Sequence, residues 1–255
     1  MSKTAVIIQA RTGSTRLPNK MALPFDGERP VLAVLLGRIS SALVDTDARI
    51  IVATTTDKRD DQIEDIARKE GLEVFRGSES DVLDRFIRAA ESIGAHKVIR
   101  VCADNVFLDM ENLKILYNLL DTDTSHDYVS FRKSDGTPSI KTHYGFWTEG
   151  VTLDALKKAA GMTSDKLYHE HVTNFIYTHP DEFACSFIQI DPEVEKHENL
   201  RLTMDTEDDY IVQRAIYSDV KGDERKMTPK SLIDYLEGHR EYYETMSRTI
   251  MNNTK

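Results

Sequence analysis

Apolar and amphipathic stretches alternate regularly along the first half of the chain. Residues 4–9 form a continuous apolar run, typical of a buried strand, and a loop containing Gly13 and Ser14 follows it. Leucines and isoleucines recur at helical spacing over residues 31–42. The same alternation predicts strands over 49–54, 73–75, 97–101 and 128–131, and helices over 60–70, 80–93 and 113–120. Strands separated by helices of this length indicate right-handed crossovers, and therefore a three-layer α/β/α fold with a mainly parallel sheet.

The second half of the chain is less regular. Between residues 132 and 150 polar and aromatic residues alternate without a clear period, which predicts an inserted arm. The pattern then predicts helices over 153–160, 168–177 and 207–217, strands over 183–190 and 202–204, and one long C-terminal helix over 229–251 that begins at a proline. Because no linker or low-complexity tract divides the chain, we expect residues 1–255 to form a single domain.

The charge of the chain is negative overall but positive at its beginning. The formal net charge is -10, whereas residues 1–25 contain four basic side chains and no acid. An acidic protein is not expected to bind a nucleic-acid polymer, but a small basic pocket within it suits a nucleoside triphosphate. No apolar run approaches the length of a membrane span and no secretory signal is evident, so we expect a cytoplasmic protein without a membrane partner.

The stretch QARTGSTRLPNK directly follows the first predicted strand. Ligands bind at the carboxyl ends of strands in open α/β sheets, and a Gly/Ser loop there lets backbone N–H groups approach phosphate oxygens. The basic side chains would supply the positive charge that a triphosphate requires. The Walker pattern is absent, which disfavours a P-loop enzyme. The residues predicted to bind nucleotide here are Ala10, Arg11, Gly13, Ser14, Arg16 and Lys20.

Two acidic residues are candidate metal ligands. Asp104 lies at the end of the strand predicted over 97–101, and Asp205 follows a short apolar run before a helix. Mg²⁺ takes oxygen ligands and usually only one or two protein carboxylates, so this pair could hold it. Taken alone, Asp104 would more commonly be a turn residue hydrogen-bonded to its own backbone. Asp109 and Asp209 are better explained as caps of the helices that follow them.

The stretches QARTGSTRLPNK, RVCADNVFLD and RLTMDTEDD, in this order, resemble the cytidylyltransferases of spore-coat and capsular polysaccharide biosynthesis, relatives of the CMP-KDO and CMP-sialic acid synthetases. The resemblance implies a nucleotide-diphospho-sugar transferase fold, with CTP held by the first loop and Mg²⁺ held by Asp104 and Asp205. It also implies a homodimer built through the arm. Where the family has Gly-Asp-x-Pro, this chain has Ala-Asp-Asn-Val at residues 103–106.

Two further groups of side chains are candidate ligand contacts. Arg76, Ser78 and Asp81 follow the strand predicted over 73–75 and are predicted to contact the nucleotide; a simple strand-to-helix turn is the plainer explanation. The predicted acceptor contacts are Arg100, Glu149 and His171, although Arg100 could instead belong to a structural ion pair and His171 could be an ordinary helix histidine.

The resemblance implies a reaction in which a hydroxyl of a sugar-acid acceptor attacks the α-phosphorus of CTP and pyrophosphate leaves. The residues predicted to act in catalysis are Lys20, Arg11, Asp104 and Asp205. Alternatives are another nucleoside triphosphate or a phosphorylated acceptor, and a catalytically silent nucleotide-binding protein. A nucleotide-sugar-dependent glycosyltransferase is a further alternative, but both Asp-x-Asp sequences, at 45–47 and 121–123, follow predicted helices rather than strands.

Overall fold

The computed structural model describes residues 4–253. Its strands are β1 (Thr4–Gln9), β2 (Pro24–Asp26), β3 (Arg29–Pro30), β4 (Arg49–Thr55), β5 (Glu73–Gly77), β6 (Lys97–Cys102), β7 (Tyr128–Arg132), β8 (Glu149–Thr152) and β9 (Cys185–Gln189). Its α-helices are α1 (Val31–Ala42), α2 (Asp61–Lys69), α3 (Val82–Ser92), α4 (Met110–Thr122), α5 (Leu153–Met162), α6 (Lys166–Glu170), α7 (Asn174–Thr178), α8 (Pro192–Glu195), α9 (Glu207–Val220), α10 (Pro229–Glu237) and α11 (Arg240–Asn253).

Seven of these strands form one sheet in the order β5-β4-β1-β6-β8-β7-β9, and β2 and β3 form a separate hairpin. The strands β5, β4, β1 and β6 are parallel to one another. Strand β8 is antiparallel to both of its neighbours, and β9 is parallel to β7. The mainly parallel sheet predicted from the sequence is confirmed, with β8 as the exception.

Helices cover both faces of the sheet because the central strands are apolar on both sides. Successive side chains of a strand point to opposite faces. In β1, Val6 and Ile8 pack into one core with α1 and α4, and Ala5 and Ile7 pack into the other with α3 and α5. All four side chains are fully buried. The predicted three-layer arrangement is therefore confirmed, and the helix predicted over 31–42 has the predicted bounds.

The segment over which an arm was expected, residues 132–150, has two structurally different halves. The first half forms a turn and a short 3-10 helix at Ser139–Lys141. The second half enters the core, where Tyr144, Phe146 and Trp147 are buried, and it ends in β8 within the main sheet. Aromatic burial rather than strand or helix periodicity organises this half, which explains why the sequence pattern there looked irregular.

Three predicted elements differ in detail. The helix expected over 168–177 is interrupted after α6, because Val172 adopts a positive φ of 23° and Thr173 turns inward to donate to Glu149. Residues 202–204 form no strand, although the backbone of Leu202 donates to His143. The strand expected over 183–190 is shorter and spans only Cys185–Gln189.

The prediction of one continuous C-terminal helix over 229–251 is wrong. This segment is divided into α10 and α11 at Gly238 and His239. Glycine is among the least favourable helix residues, and its N–H donates to Tyr235 instead of continuing the α-helical pattern. Pro229 does begin α10, as predicted, and Thr228 caps it. The described residues contain no helix with both the length and the apolar character needed to cross a membrane.

Candidate active site

Residues from four distant parts of the sequence line one cavity of about 400 Å³ at the carboxyl ends of β1 and β6. The loop after β1 forms most of its wall, and residues 102–104, His171 and Asp205 complete it. Parallel neighbouring strands end at the same edge of a sheet, which is why the loops following β1 and β6 meet. The residues of this wall that matter most for its charge are Arg11, Arg16, Lys20, Asp104 and Asp205.

Lys20 joins three of these parts of the cavity. Its ammonium donates to Asp104 Oδ2 at 3.0 Å, to Asp205 Oδ1 at 3.3 Å and to the carbonyl of Met204 at 2.6 Å. Burial by itself would lower the pKa of Lys20, but the charges of Asp104 and Asp205 outweigh it, so the pKa lies above that of a free lysine. Lys20 is therefore fully charged at neutral pH.

The position of Asp205 depends on a buried arginine. Arg201 donates to Asp205 Oδ2 at 3.0 Å and to both carboxylate oxygens of Asp209, and its side chain is only 1% exposed. Asp209 also forms a capping box with Thr206 at the start of α9, in agreement with its predicted capping role. Although burial opposes ionisation of Asp205, the cations Lys20, Arg16 and Arg201 lower its pKa, so it is a carboxylate at neutral pH.

Asp104 and Asp205 suit a hard divalent cation. Both carboxylates reach the same ammonium group, so they lie close together on one wall of the cavity. The described residues contain no group of three or more His, Cys, Asp or Glu side chains that could hold a metal. A site with two protein carboxylates, completed by phosphate oxygens and water, is the arrangement that Mg²⁺ commonly uses.

The loop after β1 is held in position by Asp60, which the sequence analysis did not identify. Asp60 accepts hydrogen bonds from the backbone N–H of Thr12 at 2.8 Å and from its hydroxyl at 2.7 Å, and Thr55 donates to the other carboxylate oxygen. Burial alone would raise the pKa of Asp60, but these hydrogen bonds outweigh it and lower the pKa. In the sequence, Asp60 is indistinguishable from an ordinary acid at the start of a helix.

The structure does not bring Arg76, Ser78 and Asp81 to the wall of this cavity. The guanidinium of Arg76 is engaged by Asp61 at 2.6 Å and Glu64 at 3.0 Å on α2. Ser78 accepts from the backbone of Asp81, and Asp81 caps α3 and contacts His169 at 2.8 Å. Packing against α2 and helix capping account for these three side chains, as the plainer strand-to-helix explanation anticipated.

A second cavity of about 600 Å³ adjoins the first. The two share Arg16, Cys102, Asp104, His171 and Asp205 as lining residues, so a ligand in one can reach a ligand in the other. The remainder of the second wall comes mainly from residues 139–147 and from α7.

Of the three predicted acceptor contacts, two line the second cavity and one lies behind it. Arg100 and His171 are on the wall. Glu149 is fully buried and accepts hydrogen bonds from Arg100 at 2.6 Å, Tyr128 at 2.5 Å and Thr173 at 2.8 Å. Its carboxylate is therefore committed to holding Arg100 in place.

A comparison with known families decides what kind of site this is. The sequence profile of a family described as "Cytidylyltransferase" matches residues 5–248. The chain belongs to the cytidylyltransferase family. It is accordingly a nucleotidyltransferase.

Individual relatives of this cytidylyltransferase cover most of its length. It is 33% identical over 240 residues to the spore coat polysaccharide biosynthesis protein SpsF of Bacillus subtilis strain 168, covering 92% of this chain and 95% of that protein. A cytidylyltransferase structure from Leptospira borgpetersenii serovar Hardjo-bovis is 26% identical, with a TM-score of 0.81, covering 95% of this chain and 97% of that one.

The fold is shared more widely than the sequence. CMP:2-keto-3-deoxy-manno-octonic acid synthetase, solved in complex with CTP, is only 14% identical but has a TM-score of 0.61, covering 86% of this cytidylyltransferase and 99% of that chain. The nucleotide-diphospho-sugar transferase fold implied by the three sequence motifs is therefore confirmed. Members of the family typically depend on a divalent metal ion.

Proposed function

We propose that this cytidylyltransferase transfers CMP from CTP to a sugar acid and releases pyrophosphate, as a step in the biosynthesis of a surface polysaccharide. The observation that carries the proposal is the position of Lys20, Asp104 and Asp205 where two cavities of ligand size adjoin. The similarity to a spore coat polysaccharide protein supports the pathway. Because CTP is a cytoplasmic nucleotide, the proposed reaction belongs in the cytoplasm.

The first cavity would hold the triphosphate. The loop of residues 10–16 offers backbone N–H groups to the phosphate oxygens, with Gly13 and Ser14 allowing close approach. Arg11, Arg16 and Lys20 supply positive charge where the pyrophosphate accumulates negative charge on leaving. Asp60 keeps this loop in position through Thr12.

Asp104 and Asp205 would hold Mg²⁺, and Lys20 would turn from these carboxylates to the phosphates when nucleotide binds. When bound, the cation supplies charge neutralisation at the phosphate oxygens. Arg201 keeps Asp205 ionised and fixed, since it holds the carboxylate oxygen that Lys20 does not use.

The second cavity would hold the acceptor. A hydroxyl of the acceptor attacks the α-phosphorus in line, a new oxygen–phosphorus bond forms, and the bond from the α-phosphorus to the bridging oxygen breaks. Pyrophosphate leaves with the bonding electron pair, and the hydroxyl proton passes to water. Arg100 and His171 would contact the acceptor, and Glu149 would orient Arg100 rather than touch the acceptor itself. Positioning and electrostatics suffice for this chemistry, without a covalent nucleophile.

Release of pyrophosphate tests the proposal. We expect release that requires CTP, a divalent cation and a member of a panel of 2-keto-3-deoxy sugar acids, and that stops when the cation is chelated. Each of the four common nucleoside triphosphates is supplied in turn. Equal rates with CTP, UTP, ATP and GTP would contradict cytidine selectivity, and no release with any acid in the panel would contradict a sugar-acid acceptor.

We also propose a homodimer, which the family resemblance implies. Strand β9 ends the main sheet, and the first half of the 132–150 segment lies beside it, so both are available for contact with a second copy. Light scattering at micromolar concentration is expected to give twice the mass of the chain. A monomeric mass over that range would exclude the proposed dimer.

A further inference from the structure

The cations on the wall of the second cavity differ in whether a carboxylate neutralises them. Arg16 pairs with Asp205 at 3.2 Å, and Arg100 pairs with Glu149 at 2.6 Å. Lys141 lines the same cavity but has no carboxylate within ion-pair distance anywhere in residues 4–253. An anion that enters this cavity therefore meets one cation whose charge is not already balanced.

His143 does not add a second unbalanced charge to this wall. Arg201 lies 2.8 Å from His143 Nδ1, and because an arginine can only donate, Nδ1 must accept and the ring proton is on Nε2. Burial and the charge of Arg201 both lower the pKa of His143. The ring is neutral at physiological pH, so His143 adds no positive charge to that of Lys141.

The side chain of Lys141 is exposed to an incoming ligand, yet contacts of its backbone and of its ammonium group hold the residue in place. It ends the 3-10 turn Ser139–Lys141, where its backbone N–H donates to Pro138 at 2.9 Å. Its ammonium lies 5.5 Å from the centre of the Tyr177 ring, a cation–π distance. Tyr177 packs against Tyr128, whose hydroxyl donates a hydrogen bond to the buried Glu149. The ammonium is therefore positioned before any ligand binds.

Three residues of the same wall each have a buried polar atom without a hydrogen-bond partner among residues 4–253. Arg100 Nε, Ser139 Oγ and Thr203 Oγ1 are buried polar atoms without a hydrogen-bond partner, and all three residues line the second cavity. Buried polar atoms in proteins are almost always paired. A polar ligand in the second cavity is one source of hydrogen-bond partners for these three atoms.

We propose that the turn Ser139–Lys141 determines acceptor specificity, with Lys141 binding an anionic group of the acceptor and Ser139 forming a hydrogen bond beside it. The inference rests on the proposed function, because it assigns the acceptor to the second cavity. The acceptor class is a polyhydroxylated sugar that carries a carboxylate or a phosphate. Lys141 lines the second cavity and not the first, so this selection is independent of CTP binding.

The test compares charged and neutral forms of one acceptor. Pyrophosphate release is measured with 2-keto-3-deoxy sugar acids and with their methyl esters, for the wild-type protein and for Lys141→Met. We expect the wild type to prefer acid over ester by about 10-fold or more in kcat/KM, because charge-assisted hydrogen bonds are the stronger kind. Lys141→Met is expected to lose this preference through a higher acceptor KM, with the KM for CTP unchanged. Lys141→Arg is expected to retain most of it.

Lys133→Met is the matched control, because Lys133 lies in the same connection, pairs with Asp135 at 3.2 Å and lines neither cavity. A parallel arm compares sugar phosphates with the free sugars, and loss of that preference in Lys141→Met would identify phosphate as the anion. An undiminished preference for the charged acceptor in Lys141→Met would overturn the inference. No release by the wild type in either arm would instead overturn the proposed function.

Discussion

Replacing Lys20 with methionine is expected to reduce turnover by about 100-fold or more, equivalent to about 2.7 kcal/mol of transition-state stabilisation. Lys20 is charged at neutral pH and lies between the two candidate metal carboxylates. Its charge is most useful when negative charge moves onto the departing pyrophosphate. Methionine has a similar length without the charge, so kcat for pyrophosphate release at saturating CTP measures the loss of electrostatic stabilisation.

Lys20→Met also leaves Asp104 and Asp205 without their shared cation, so the fold of the variant must be checked by its melting temperature. Binding of Mn²⁺ without nucleotide, measured through the relaxation rate of water protons, provides a readout that does not depend on activity. We expect tighter Mn²⁺ binding in the variant, because Lys20 no longer competes for the two carboxylates. Lys114→Met, which removes an exposed lysine paired with Glu111, is the control. Near-normal turnover in folded Lys20→Met would refute the assigned role.

Replacing Glu149 with glutamine is expected to lower the free energy of unfolding by about 3–5 kcal/mol, the cost of leaving one member of a buried ion pair alone. The side chain of Glu149 is 1% exposed and that of Arg100 is 7% exposed. Glutamine preserves the shape of the side chain but cannot neutralise Arg100. In a chain of this length such a loss lowers the melting temperature by about 10 °C.

Chemical unfolding monitored by circular dichroism measures the effect of Glu149→Gln, and Glu73→Gln is the matched control. Glu73 pairs with Arg49 on the same sheet, but both side chains are about half exposed, at 55% and 41%. Exposed pairs contribute about 0–1 kcal/mol, so the control should unfold almost like the wild type. Equal and small losses in the two variants would show that the buried pair does not stabilise the fold as we infer.

Local sequence pattern predicts an element well where one physical effect dominates. The helix over 31–42 was predicted with its observed bounds because apolar residues recur there at helical spacing. Asp109 was predicted as a cap, and it accepts hydrogen bonds from the backbone of Glu111 and Asn112. The predictions over 168–177 and 229–251 failed although apolar residues recur there at helical spacing. In the first, the tertiary contact of Thr173 with Glu149 interrupts the helix. In the second, Gly238, a poor helix former, ends α10.

From the sequence alone, the alternating strands and helices of the first half, the position of the Gly- and Ser-containing loop after β1 and the family could be predicted, because each depends on a short run of neighbouring residues. Only the tertiary structure decided which charges balance one another. Lys20 lies 84 positions from Asp104 and 185 from Asp205 in the sequence. The carboxylate of Asp60 accepts a hydrogen bond from Thr12, and that of Glu149 accepts one from Arg100. Such pairings depend on which chain segments the sheet brings together, and periodicity along the chain carries no information about that.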